Sequence, residues 1–233
     1  AQGASVGLAT DGDADRLGVV DETGQFVTQL QVYALLALYL LEVRGLRGPL
    51  VKSITTSSMI YRLGEKFDVP VIETDVGFKY IGPAMIEHDA LIGGEESGGY
   101  GFRGHIPERD GILAGLYFLD LMVATGRTPT QLIEHLYSVV GPHYYDRRDL
   151  TFPADKREAI IAGANAPQKA LACVPVTNVD RFDGGGVRYH LEDKSWLLVR
   201  FSGTEPVLRV YAEAPSTERV QKLLDAGVAM AGV

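Results

Sequence analysis

The feature that most constrains this chain is a regular alternation, over its first 140 or so residues, of short apolar runs with segments of helical length. "SVGLAT" (5–10) reads as a short buried strand, "RLGVVD" (16–21) as a second strand and "DETG" as the turn after it. "TQLQVYALLALYLLEVRG" (28–45) has helical length, with Gly45 as its stop. "PLVKSIT", "VPVIETDV" and "ALIGGE" then predict strands, separated by the helices "SSMIYRLGEKF" and "GFKYIGPAMIEHD". Two more helices follow, "DGILAGLYFLDLMVATG" and "TPTQLIEHLYSVVG". Strands alternating with helices imply an α/β domain, with a parallel or mixed sheet covered on its faces.

The pattern changes near "GPHYYDRRD" (141–149). A charged helix, a long β-rich stretch (174–213) and a last helix ("STERVQKLLDAGVAM") follow, which predicts a C-terminal α+β unit. The expected division is 1–45, 46–144 and 145–233.

Composition narrows the partners. The net charge is −8, which argues against nucleic acid or an anionic membrane as a general partner. The apolar run at 32–43 is too short to span a bilayer and reads as a buried helix. A single cysteine, Cys173, excludes an intrachain disulfide and points to the cytoplasm. The absence of an initiator Met and the immediate entry into a strand suggest a segment of a longer protein.

Three loops carry the chemistry. In "ATDGDADRLGVVDETG" (9–24), Asp11, Asp13 and Asp15 alternate with small residues and Arg16 follows at once. On an extended segment, alternate residues point to one side. Three carboxylates there repel one another, and a cation removes that cost; oxygen-only ligands suit Mg²⁺ or Ca²⁺. An EF-hand is excluded, because Arg16 stands where its turn needs Gly and the flanks read as strands. Arg16 is always cationic, so it is no ligand but can hold an anion that the metal also touches.

The second loop is "IGGEESGGYGF" (92–102), where Glu95 and Ser97 sit among five glycines. A carboxylate accepting hydrogen bonds, beside a hydroxyl, suits vicinal sugar hydroxyls. His105 and Arg109 follow it, at the start of the helix expected over 110–125, where anions are favoured. Lys79, in "DVGFKYIG", lies at another strand-to-helix junction; a desolvated Lys there can serve as acid or base. The third loop is "FSGTEP" (201–206), between two strands. It offers the Ser202 and Thr204 hydroxyls and the Gly203 N–H, framed by Arg200 and Arg209, which is a phosphate clamp in chemical terms.

Together, "DGDADR", "GEESGG" and "RFSGTEP" resemble the metal, sugar and phosphate loops of the α-D-phosphohexomutase family, the phosphoglucomutases and phosphomannomutases. The resemblance spans essentially the whole chain. It implies that Asp11, Asp13 and Asp15 hold Mg²⁺, and that Glu95 and Ser97 grip sugar hydroxyls. It further implies that Arg200, Ser202, Gly203, Thr204 and Arg209 hold the phosphate of a hexose phosphate substrate, and that Arg109 contacts sugar or phosphate. Arg16 and Lys79 would be the catalytic residues, Arg16 at the transferring group and Lys79 as proton relay. Residues 1–45 would be the tail of a second domain, followed by a whole third and fourth domain.

The family's catalytic serine belongs to a Thr-Ala-Ser-His-Asn-Pro-type loop in the first domain, and no such stretch occurs here. The expected partner is therefore the missing N-terminal part of the same chain. Glu96 and Gly99 stand where phosphoglucosamine mutases usually have Gln and His, which favours glucose or mannose phosphates. The alternatives are a sugar-phosphate-binding module without catalysis, a phosphoglucosamine mutase, and a metal-dependent sugar phosphatase.

Overall fold

The computed structural model describes residues 3–202 and 206–232. It divides into two compact units, 1–141 and 142–233.

The first unit opens with an antiparallel meander of β1 (Gly7–Thr10), β2 (Leu17–Val20) and β3 (Phe26–Val27). The sequence predicts a buried β1, but all of its residues are exposed, because it forms the edge of the meander and pairs only with β2. Helix α1 (Gln29–Leu38) starts at a capping box in which the Thr28 hydroxyl accepts from the Gln31 N–H at 3.2 Å. It ends in a π-helical turn, Tyr39–Val43. Its apolar residues are buried around the whole circumference, so α1 is a central helix, not an amphipathic surface one.

A four-stranded sheet follows, built from β4 (Leu50–Ser53), β5 (Val71–Thr74), β6 (Ile92–Gly94) and β7 (Tyr100–Phe102) in the order β5-β4-β6-β7. Strand β4 is parallel to β5 and β6, while β7 returns antiparallel to β6. The sheet is therefore mixed, as expected. Helices α2 (Met59–Phe67), α3 (Phe78–Glu87), α4 (Gly111–Thr125) and α5 (Pro129–Val140) complete the unit. Strand β6 is clamped from both sides. A Cβ at Gly93 would fall 2.5 Å from Ile81 and Met85 of α3, and one at Gly94 would fall 2.7 Å from the Tyr33 ring of α1. Two helices thus bear on the strand that leads into Glu95, and the loop starts from a rigid base.

The second unit carries β8 (Tyr144–Thr151), a 3₁₀ turn (Ala154–Lys156), α6 (Arg157–Ala164), β9 (Ala170–Leu171), β10 (Val174–Phe182), β11 (Gly186–Leu191), β12 (Trp196–Phe201), β13 (Val207–Ala214) and α7 (Thr217–Ala231). The strands form one antiparallel sheet in the order β8-β13-β12-β11-β10-β9. Val220, Leu223 and Leu224 of α7 and Ile160 and Ala164 of α6 share one core with Leu197, Val199, Val210 and Ala212 of the sheet. The fold class is the expected one, a mixed-sheet α/β domain plus a C-terminal α+β domain. Among the described residues, no helix is long and apolar enough to cross a membrane.

Candidate functional site

The acidic loop is a turn rather than an extended segment. The Ala14 N–H donates to the Asp11 carbonyl at 3.1 Å, and Ala14 has φ +58°, in the left-handed region. The alternation rule for extended segments therefore does not apply to this loop. Among the described residues no three acidic, histidine or cysteine side chains are gathered closely enough to hold a metal ion. Asp13 is exposed. Burial pushes the Asp15 carboxyl above the usual aspartate range; Arg109 and Arg16 oppose this, while the Asp11 carboxylate, which shares a hydrogen bond with it, adds to the rise. Arg16 is half-exposed and lies 3.7 Å from Asp11 and 3.8 Å from Asp15. The donor set does fit a hard divalent cation: its atoms are carboxylate oxygens, and the approach of Asp11 to Asp15 is a repulsion that a cation relieves.

Backbone contacts fix this loop against the second one. The Leu17 N–H donates to the Gly98 carbonyl at 3.0 Å, Arg16 bridges Gly99 in antiparallel fashion, and the Gly111 N–H donates to the Ala14 carbonyl at 3.0 Å. Gly98 takes φ +92°, which is why a glycine closes the turn there.

Glu95 leaves β6 with its side chain only 8 % exposed. Its Oε1 accepts from the Ser97 hydroxyl at 2.7 Å and from Arg109 Nη1 at 3.0 Å. The other end of the same guanidinium, Nη2, lies 2.7 Å from Asp15 Oδ2. Arg109 thus ties the acidic loop to the Glu95–Ser97 loop, and its charge balances the buried Glu95 carboxylate. Its guanidinium stands 5.8 Å over the Phe78 ring. The next residue, Asp110, caps α4 by accepting from the Leu113 N–H at 2.8 Å, and its second oxygen lies 2.9 Å from His105 Nε2. His105 therefore supports the helix start. Lys79 is exposed, with its ammonium 4.8 Å over the Tyr80 ring.

The structure brings together Asp15, Glu95, Ser97 and Arg109, with Asp11 and Arg16 beside Asp15. Phe78 under Arg109 was not read from the sequence. Its only local signal was its place beside Lys79 in "GFK".

In the second unit, Arg200 and Arg209 are register partners on β12 and β13. Arg209 Nε lies 3.6 Å from Asp149 of β8, its register partner on the other side. Ser202 is buried, and its N–H donates to the Val207 carbonyl at 2.8 Å. Gly203 and Thr204 lie outside the described residues.

Comparison with known proteins decides the family. The profile of the phosphoglucomutase/phosphomannomutase alpha/beta/alpha domain III matches residues 29–140, and that of the same family's C-terminal domain matches residues 154–229. The chain belongs to the phosphoglucomutase/phosphomannomutase family.

Within this family, the phosphoglucomutase/phosphomannomutase of Thermococcus kodakarensis is 33% identical over 98% of this chain, and the phosphoglucosamine mutase of Methanocaldococcus jannaschii is 30% identical over 96%. A crystal structure from Thermus thermophilus, assigned to the phosphomannomutases, superposes with a TM-score of 0.81 at 37% identity, over 98% of this chain and 46% of that one. The chain spans about half the length of the curated phosphohexomutases it matches. The domain III profile begins at residue 29, inside the stretch that the sequence assigned to a preceding domain.

Proposed function

We propose that the chain is the sugar- and phosphate-recognising portion of a phosphohexomutase that interconverts hexose 1-phosphate and hexose 6-phosphate, with glucose or mannose as the sugar. The observation that carries this reading is the two-ended Arg109 contact, 2.7 Å to Asp15 and 3.0 Å to Glu95. It makes one site of an acidic loop and a hydroxyl-binding loop.

In this reading the Glu95 carboxylate accepts from adjacent ring hydroxyls, with Ser97 donating or accepting beside it. A pair of neighbouring hydroxyls presents similar chemistry in either orientation of the sugar, so one loop serves both phosphate isomers. Arg200, Arg209 and Ser202 hold the distal phosphate, together with Gly203 and Thr204. The phosphoryl group would pass from a phosphoserine, outside these 233 residues, to the free hydroxyl of the substrate, whose proton leaves to a base. The other phosphate of the resulting bisphosphate would then return to the serine. Lys79 would relay the hydroxyl proton and Arg16 would contact the transferring group. Asp11, Asp13 and Asp15 would hold Mg²⁺, which supplies charge neutralisation at that group. The working compartment would be the cytoplasm, in keeping with the lone Cys173.

The test uses the full-length protein with glucose 1-phosphate and scores glucose 6-phosphate against free phosphate. A mutase yields glucose 6-phosphate with little free phosphate. Stoichiometric phosphate release would replace this reading with a phosphatase, and no product at all would leave a binding module.

A further inference from the structure

Helix α1 does not end as an ordinary helix. Its last turn, Tyr39–Val43, widens into a π-helix, in which the Arg44 N–H donates to the Tyr39 carbonyl, five residues back, at 2.9 Å. Such turns are rare and recur at functional sites. Glu42 and Val43 of this turn form one wall of a cavity of about 230 Å³ that α1, α4 and α5 leave between them.

The cavity has an apolar floor and a charged rim. The floor is Leu35 and Leu38 of α1, Leu121 of α4 and Leu132 of α5, each of them buried. At the rim, Glu42 lies 2.8 Å from His135 Nε2 of α5, and Arg127 comes from the loop between α4 and α5. The Thr125 hydroxyl, on the same wall, donates to the Leu121 carbonyl at 2.7 Å. Glu42 and Thr125 thus have partners, whereas Arg127 makes no hydrogen bond or ion pair among the described residues. In a chain whose net charge is −8, a half-buried guanidinium without a carboxylate is the unmatched charge of this cavity.

We infer that the cavity is a ligand site for a small aliphatic monocarboxylate, whose apolar body lies on the leucine floor and whose carboxylate pairs with Arg127. Three features select that class. Leucine side chains favour an apolar body and offer no hydrogen bond, so a polyol would lose its water there without replacement. The guanidinium fork matches a planar carboxylate with two parallel hydrogen bonds. The Glu42 carboxylate on the same rim disfavours a second negative charge on the ligand, which selects against a phosphate dianion. The cavity shares no residue with the cluster of Asp15, Glu95, Ser97 and Arg109, so it does not depend on the hexose phosphate reading.

The test is a ligand-observed NMR titration of the full-length protein with 4-methylpentanoate as the probe and 4-methylpentanamide, its uncharged isostere, as the control. The acid is expected to bind saturably with a Kd of about 1 mM, a strength within reach of a ligand of about eight non-hydrogen atoms. The amide is expected to bind at least about tenfold more weakly, because it loses the charge-assisted pair with Arg127. Arg127→Ala should weaken the acid by the same factor and leave the thermal midpoint nearly unchanged, since Arg127 has no partner to lose. Val43→Trp, which sets an indole at the exposed edge of the cavity, should block acid and amide alike. Absence of saturable binding up to about 20 mM would overturn the proposal. Equal binding of acid and amide, or undiminished binding of the acid to Arg127→Ala, would overturn the pairing with Arg127. Undiminished binding to Val43→Trp would place the probe elsewhere on the protein and overturn the site.

Discussion

Arg200 on β12 and Arg209 on β13 face each other as register partners, two cations set directly across a hairpin. Like charges in that position repel, and Asp149 at 3.6 Å from Arg209 offsets only part of the repulsion. An anion bound between them would remove the rest. A hexose phosphate at ~100 times its Kd should therefore stabilise the protein by about 2.7 kcal/mol. A thermal-shift titration with glucose 6-phosphate checks this. Arg209→Ala should lose most of the ligand-induced shift while costing little midpoint of its own, and an undiminished shift would remove Arg209 from the clamp.

The Arg109 bridge, 2.7 Å to Asp15 and 3.0 Å to Glu95, carries stability. Truncating it strands a nearly buried carboxylate at Glu95, and the loss should be roughly 2–4 kcal/mol. Arg109→Lys keeps the charge but not the two-ended fork, so it should recover only part. Urea denaturation followed by tryptophan and far-UV signals separately gives both values. A loss below about 0.5 kcal/mol for Arg109→Ala would show that the pair is solvated.

Lys52 is another buried charge. Its ammonium lies 2.8 Å from Glu73, which also accepts from the Tyr61 hydroxyl at 2.9 Å. Lys52→Met should cost about 3 kcal/mol, because Glu73 keeps its charge and loses its cation. Combining it with Glu73→Gln should restore part of that loss, as a denaturation cycle would show.

The second unit has an acid-sensitive pairing. Burial alone would raise the Asp180 carboxyl, but hydrogen bonds from His190 at 2.7 Å and Arg188 at 2.8 Å hold it below the usual aspartate range. A carboxyl depressed in the folded state contributes stability above its unfolded-state value and loses it as pH falls through the folded-state value. Asp180→Asn should therefore be less stable than wild type at neutral pH and converge with it in acid. Thermal midpoints from pH 7 down to about pH 2 test this, and a constant gap across the range would contradict it.

Much of the fold was legible because the alternation that betrays it is local. The runs at 50–53, 71–74 and 92–94 and the helices between them fall where their periodicity places them. Strand β8 was not read, because "YYDRRDLT" carries its charges in pairs with α7: Arg148 reaches Asp225 at 2.6 Å and Gln221 at 3.0 Å. No local pattern shows that a charged edge strand is covered by a helix more than 70 residues later. For the candidate site, residue types were legible and their geometry was not. Asp11, Asp13 and Asp15 have the spacing of one face only on an extended backbone, and the Ala14 turn breaks it. Glu95, Ser97 and Arg109 were named from residue type. That Arg109 pairs with Asp15, 94 positions away, is a tertiary fact that spacing cannot carry.

The most direct test of the account is the turnover of glucose 1-phosphate by the full-length protein with Glu95→Gln, which keeps the shape of the side chain and removes the charge shared by Ser97 and Arg109. The account predicts a fall in kcat/KM of about a hundredfold or more, with the thermal midpoint changed far less. A kcat/KM within about threefold of wild type would contradict the claim that the Glu95 carboxylate is the group that binds the sugar.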